Sequence, residues 1–362
     1  MGWRVCGVAM LLACSSSSRP SPDVGTDSAE DVAVEAALDT GSACACAPGP
    51  HASFIYLVSD DGEIHRWDPL TNQYEFVVGP ICSGATPFSM AVDGQGRAHL
   101  NLIDSLEVVV LDLLDPGACE PSNYVRTNAD FGLFGMSFAS NSAIDPCADL
   151  YVMTYSGDGA FDEGPDLGKL GAINPVSGDL RDIANIDFDG GELTGTGDGR
   201  LFAFAGDSPV KLIEYDRNTG ARLNTIELTG VDKTNASAVA FFAGDIYLFT
   251  EALSDDCGAC LDDGCSAERA ACLATDSCAE DLACVLNTGE FSDTCGGTLS
   301  QPLVDCVLGC DPCLTPPRAR VSRVFRYDLD ENDGGGVTAV DGRAPIRIVG
   351  AASSPCVPVF PI

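Results

Sequence analysis

Residues 200–228 read RLFAFAGDSPVKLIEYDRNTGARLNTIEL. A short apolar strand carrying an aromatic, around Phe202, is followed by a second strand that ends at Asp216 in the turn Asp-Arg-Asn-Thr-Gly. Asp, Asn and Gly suit such a turn because a short side-chain oxygen can take up nearby backbone amides and Gly adopts the left-handed backbone without strain.

The same two elements recur along the chain. The first appears as FIYLVS around Tyr56, RAHLNL around His99, DLYVMTY around Tyr151, RLFAFAG around Phe202 and DIYLFTE around Tyr247. The second appears as HRWDPLTN at Asp68, VVLDLLDPG at Asp112, GAINPVSG at Asn174, IEYDRNTG at Asp216 and FRYDLDEN at Asp328. The spacing defines a unit of about 43 residues repeated five times, with additions at 157–167 and between Glu251 and Arg320. A fixed period of this length marks a repeat architecture, each unit burying its apolar face against the next.

A 43-residue unit of about four short strands resembles a propeller blade. The phrase IEYDRNTGARLNTIEL is similar to the third and fourth strands of blades in NHL, YVTN and quinoprotein-like propellers. The resemblance covers roughly residues 54–250 and 321–350, and the strict WD40 and kelch signatures are missing. The expected fold is all-β: a β-propeller of about five four-stranded blades with a small disulfide-rich helical insertion. The first module lacks an innermost strand, which the tail at 351–362 is expected to supply. A β-sandwich with long loops is the competing fold, although sandwich strands need no 43-residue echo. Both additions fall between the second and third strands of a module, on the face where the resemblance implies propellers bind partners.

The first residues give an address. Arg4 precedes an apolar run from Val5 to Leu12, and Leu11-Leu12-Ala13-Cys14 follows. A small residue before the cleavage point fits a signal peptidase. The run resembles the lipobox of bacterial lipoproteins, and Ser15 after the cysteine resembles the outer-membrane sorting signal. That implies lipidation of Cys14, with palmitate among its acyl chains, and a membrane as first partner. Residues 1–13 then form the signal peptide and 14–50 a flexible acidic tether. Residues 51–250 and 321–362 form the propeller, and 251–320 the insert. The tether's Ser, Asp, Ala and Pro would reach roughly 30 Å root-mean-square. Removing residues 1–13 loses Arg4, leaving 18 basic against 54 acidic residues. So acidic a surface repels phosphate backbones and excludes nucleic acid as a partner.

An exported chain with even cysteine counts is expected to form disulfides. Ten cysteines cluster in the insert: Cys257, Cys260, Cys265, Cys272, Cys278, Cys284, Cys295, Cys306, Cys310 and Cys313. Six lie outside it: Cys44, Cys46, Cys82, Cys119, Cys147 and Cys356. The insert reads as short helices with little apolar core, which cross-links must hold together. It resembles Cys-rich helical hairpins of large exported proteins of soil deltaproteobacteria. The spacings Cys257-x2-Cys260 and Cys306-x3-Cys310-x2-Cys313 also suit zinc, a reading that fits a reducing compartment better. Outside the insert, Cys119 with Cys147, and Cys356 with Cys44 or Cys46, are the expected pairs.

The sequence carries no HExxH, P-loop, GxSxG or GxGxxG ahead of a helix. His65 and His99 read as strand residues, and GTGDG at Gly195–Gly199 as a turn. No catalytic residue is assigned and no cofactor is required. Calcium is the one cofactor suggested, at Asp328, Asp330 and Asn332 or in the loop with Asp158, Asp162, Glu163 and Asp166, where oxygens alternate as calcium prefers. The expected role is a surface binding scaffold whose protein or glycan partner sits on the insert-bearing face. A lactonase- or glycosidase-like hydrolase with a central metal, and a structural envelope protein, are the alternatives.

Overall fold

The computed structural model describes residues 44–47, 49–156, 162–206, 209–231, 236–253, 255–288, 291, 296–314, 320–329 and 336–360. Five separate four-stranded antiparallel sheets form the five blades of a propeller, in place of the two packed sheets of a sandwich. Blade 2 contains β4 (Pro87–Val92), β5 (Arg97–Leu102), β6 (Val108–Asp112) and β7 (Glu120–Pro121). Blade 3 contains β8 (Leu133–Ser142), β9 (Asp145–Tyr155), β10 (Asp162–Ile173) and β11 (Leu180–Asp189). Blade 4 contains β12 (Glu192–Gly195), β13 (Leu201–Ala205), β14 (Lys211–Tyr215) and β15 (Arg222–Glu227). Blade 5 contains β16 (Ser237–Phe242), β17 (Asp245–Leu253), β18 (Arg320–Asp328) and β19 (Thr338–Asp341). In blade 1, β1 (Ile55–Ser59), β2 (Ile64–Asp68) and β3 (Gln73–Val78) are joined on the inside by β20 (Ile348–Ala352) from the other end of the chain.

The two echoes of the sequence have physical roles. The first lies in the second strand of every blade, where Tyr56, His99, Tyr151, Phe202 and Tyr247 are all buried. The second closes the third strand. Asp68 accepts the Leu70 amide, Asp112 those of Leu114 and Asp115, Asn174 those of Val176 and Ser177, and Asp216 those of Asn218 and Thr219. One hairpin chemistry repeated blade after blade makes the period visible.

The closing strand begins a little before the expected tail. Pro355 and Pro358 cannot donate ladder hydrogen bonds, so pairing with β1 ends at Ala352, opposite Tyr56. Residues 353–360 turn away instead. The addition at 157–167 is partly spent on long strands: β10 pairs β11 from Asp162 opposite Asp189 to Ile173 opposite Leu180.

A hydroxyl links the blades at all five interfaces. Ser354 Oγ donates to Asp93 O at 3.0 Å between blades 1 and 2, and Ser89 Oγ to Phe134 O at 2.6 Å between 2 and 3. Ser137 Oγ accepts Gly195 N between blades 3 and 4, and Thr194 Oγ1 accepts Phe241 N between 4 and 5, each at 2.8 Å. Ser322 Oγ accepts Ile348 N at 2.8 Å, which docks the closing strand on blade 5. Each contributes about 1 kcal/mol, and together they fix how adjacent blades are staggered. Backbones approach closely here. A Cβ on Gly135 would overlap Gly191 O, and one on Gly195 would overlap Phe138 O.

Apolar cores fill the interfaces. Trp67 of blade 1 is fully buried, edge-on to Tyr247 at 5.2 Å and Phe249 at 5.7 Å of blade 5, and its indole N–H donates to Asn72. The insert lies between β17 and β18 and consists of α1 (Asp255–Leu273), α2 (Asp276–Thr288), α3 (Gln301–Leu308) and α4 (Asp311–Leu314). Cys257–Cys313, Cys260–Cys310 and Cys265–Cys306 join α1 to α3 and α4 in antiparallel order, and Cys272–Cys278 ties α1 to α2. All five cysteines with zinc-like spacing are therefore used in disulfides. Cys284 is disulfide-bonded too; Cys295 lies outside the described residues.

Three disulfides tie the propeller: Cys44–Cys147, Cys46–Cys356 and Cys82–Cys119. The expected Cys119–Cys147 pair is not formed. The long connection from β6 to the two-residue β7 carries Cys119 to the outer edge of blade 2, beside the turn holding Cys82. Cys147, at the start of β9, meets the incoming N-terminal segment instead.

Trp67→Ala is expected to lower unfolding free energy by about 3–5 kcal/mol, read from denaturant midpoints; a change below about 1 kcal/mol would show that blades 1 and 5 do not pack as described. Cys46→Ser with Cys356→Ser removes a cross-link spanning 310 residues. That is expected to cost about 5 kcal/mol by the loop-entropy relation and to bring the thermal midpoint of the oxidised protein down; an unchanged midpoint would contradict the terminal staple.

Candidate binding face

Strand order defines two faces. The lower face carries the turns between first and second strands, such as Asp93–Gly96 and Thr196–Arg200. The upper face carries the connections between second and third strands, including the helical insert, and those between blades.

Both ends of the described chain lie against the lower face. Ala47 N donates to Gly94 O, Gln95 Nε2 to Ala45 O, and the His51 ring contacts Gly94 O at 3.2 Å. His51 is fully buried, and burial pushes its pKa down despite the Gly94 carbonyl and nearby Asp93. Burial also opposes ionisation of Asp93. His99 at 3.4 Å, the Arg97 amide and the Arg97 guanidinium outweigh it and hold that carboxyl at about 2. The tail from 353 onward touches blade 2 through Ser354, blade 4 where Pro355 lies beside Gly197, and blade 5 where Pro358 O accepts Ala243 N. The tail and the Cys46–Cys356 bond thus cover the lower end of the axis.

The upper face is polar and indented. Arg347, just before the closing strand, reaches Glu251 of blade 5 at 2.7 Å and Asp60 of blade 1 at 3.0 Å. The Glu251 side chain is fully enclosed and Arg347 is partly buried. This ion pair joins blades 5 and 1 from above. Breaking it would strand a buried charge.

A cleft of about 490 Å³ lies across blades 2 and 3. Leu133, Tyr155, Lys169 and Asp189 line it, with Arg126 and Asp130 at its edge. Tyr155 stacks on Phe88 at 5.2 Å, 15° from parallel. Lys169 Nζ bridges Asp130 at 2.9 Å and Asp182 at 3.2 Å. The Asp189 carboxylate accepts the amide and hydroxyl of Ser156. A larger cavity of about 940 Å³ surrounds the Cys82–Cys119 bond, with Leu102, Val108, Val109 and Tyr124 among its walls.

Glu192 heads β12, the innermost strand of blade 4. It is 9% exposed and beside Gly135 of blade 3, whose missing Cβ leaves room for its carboxyl. It has no hydrogen-bond or ionic partner among the described residues, and burial raises its pKa well above the usual glutamate range.

The candidate calcium ligands do not come together among the described residues. Asp328 lies near Arg326, and Asp166 is exposed, its amide turned to Asp187. Asp158, Asp330, Asn332 and the Asp162 side chain lie outside what is described, as does Cys14. Among the described residues no group of three or more His, Cys, Asp or Glu side chains is arranged to hold a metal. Two buried acids of the upper face are engaged separately, Glu251 by Arg347 and Asp189 by Ser156. His65 and His99 sit in strands β2 and β5, with Glu63 and Asp93 as their carboxylate neighbours.

Glu192, Asp189, Tyr155, Lys169 and Arg347 carry no motif that marks them in the sequence. The one signal for Glu192 is an acid in Gly190-Gly191-Glu192-Leu193-Thr194-Gly195, where the other inner strands carry no ionisable side chain.

The class these observations define is a five-bladed β-propeller with a disulfide-bonded helical insertion. No family model matches the chain, and no curated protein matches it. Among solved structures it is similar to a chain of the nidogen/laminin complex, at 11% identity and a TM-score of 0.40, covering 83% of this chain and 97% of that one. It is also similar to hydrazine synthase of Kuenenia stuttgartiensis, at 12% and 0.36, covering 80% and 63%. A third is TolB from Acinetobacter baumannii, at 15% and 0.35, covering 56% of this chain and 48% of that one. At such identities and scores no function passes from them to this chain.

The raised pKa of Glu192 sets a sign for pH dependence. The unfolded chain loses this proton at the ordinary glutamate value while the folded chain keeps it. Folded stability therefore falls as pH rises above that value, until the buried group itself ionises. Glu192→Gln is expected to gain stability relative to the parent from pH 4 towards pH 8 in urea titrations; a difference independent of pH would mean the carboxyl is solvated or paired.

Proposed function

We propose that the chain is an exported lipoprotein, held at the outer membrane through Cys14, that acts as a binding module by presenting its upper face. The observation that carries this reading is the separation of the two faces. The N-terminal segment enters along the lower face, stapled by Cys44–Cys147 and Cys46–Cys356, whereas the insert and the indented polar surface occupy the opposite side. A rigid scaffold with long connections gathered on one face suits recognition. The acidic surface favours polar or cationic partners over nucleic acid.

The test uses the full chain in a Gram-negative host. Radiolabelled palmitate is expected to enter the parent and be lost in Cys14→Ala, which is released from the membrane fraction. Protease added outside intact or permeabilised cells is expected to cut exposed loops of the insert before the disulfide-stapled N-terminal segment. Labelling that persists in Cys14→Ala, or cleavage first at residues 44–52, overturns the reading.

A further inference from the structure

The cleft across blades 2 and 3 points to a ligand class. We infer that it is a binding site for an uncharged saccharide, laid against Tyr155 and held by hydrogen bonds to Asp130, Lys169, Asp189 and Arg126. This deepens the reading of the upper face as the recognition face and rests on it.

Charge in the cleft is already largely paired. Lys169 is already engaged by Asp130 and Asp182, and the Asp189 carboxylate by Ser156. A simple ion entering here would have to break those contacts to gain its own. A polyhydroxyl ligand need not, because each hydroxyl both donates and accepts. It can take the remaining lone pairs of Asp130 and Asp189 and the remaining donors of Lys169. Arg126 makes no ion pair among the described residues and offers its planar fork of N–H donors at the rim. A formal net charge of −35 disfavours an anionic ligand at long range.

The apolar side of the cleft suits a sugar ring. Tyr155 is half-buried, its orientation fixed by stacking on Phe88, with Leu133 and Leu167 beside it. The C–H face of a pyranose covers a flat aromatic surface while its hydroxyls point outward to polar groups. A volume of about 490 Å³ accommodates a short oligosaccharide. Rigid strands carry most of these groups: Tyr155 ends β9, Lys169 lies in β10 and Asp189 ends β11. Pre-positioned groups lower the entropic cost of binding.

The experiment is saturation-transfer NMR on the purified full-length chain in detergent. The probes are maltose, cellobiose and chitobiose, with digalacturonate as the charged counterpart, each at up to about 10 mM. At least one neutral disaccharide is expected to bind. Its affinity is expected to fall about tenfold or more in Tyr155→Ala and in Lys169→Ala. Val125→Ser, at an exposed position in the neighbouring cavity, is expected to leave it unchanged. Asp130→Ala, at an exposed position, keeps the test decisive if Tyr155→Ala fails to fold. The inference is overturned if no neutral disaccharide binds, if digalacturonate alone binds, or if binding survives the cleft substitutions. The measurement is made free of any membrane, so its outcome is independent of whether Cys14 is lipidated.

Discussion

Ring closure is the constraint on which the rest of this structure depends. Four blades are continuous in sequence, but the first is completed by Ile348–Ala352 from the far end of the chain. Without that strand on β1, the facing apolar sides of blades 1 and 5 are not held together, and Trp67 keeps Tyr74 of its own blade but not Tyr247 and Phe249 of blade 5. Closure is secured from three directions. Ser322 holds the first amide of the closing strand, Arg347 bridges Glu251 and Asp60 above it, and Cys356 is tied to Cys46 below it. The hydroxyl at each interface then sets the inner strands in register, and Gly135 and Gly195 allow backbones to approach where a side chain would hold them apart.

Closure also divides the molecule into two faces with different duties. The lower face is occupied by the two ends of the chain, stapled across several blades. The upper face keeps its clefts, its long second-to-third connections and the helical insert. The insert has its own small core, with Leu261, Val285, Leu303 and Val307 packed among cystines. So few apolar side chains would not hold four short helices without cross-links. It therefore adds surface to the upper face without interrupting the antiparallel pairing of β17 with β18.

Legibility in the sequence followed the chemistry of each feature. The buried aromatic of the second strand and the Asp or Asn turn after the third recur because every blade meets the same local problem, so blade number and strand order could be read in advance. The disulfide pairs could not. Cys119 and Cys147 occupy neighbouring blades, but pairing depends on where a long connection and an N-terminal segment travel, and no periodicity records those paths. The recognition groups were hidden for a related reason. Tyr155, Lys169 and Asp189 form no local motif and converge only because the successive strands β9, β10 and β11 run side by side. Glu192 looked like one acid among many until its strand proved to line the inside of the ring.

The most direct measurement of the closed ring is hydrogen exchange of the amides of Ile348–Ala352 and Ile55–Ser59 in the intact oxidised protein. Closure as described requires both segments to exchange together, as slowly as the inner strands of blades 3 and 4, with the same free energy of opening. Rapid exchange of Ile348–Ala352 while the other blades stay protected would mean that the ring is open and that the account fails at its centre.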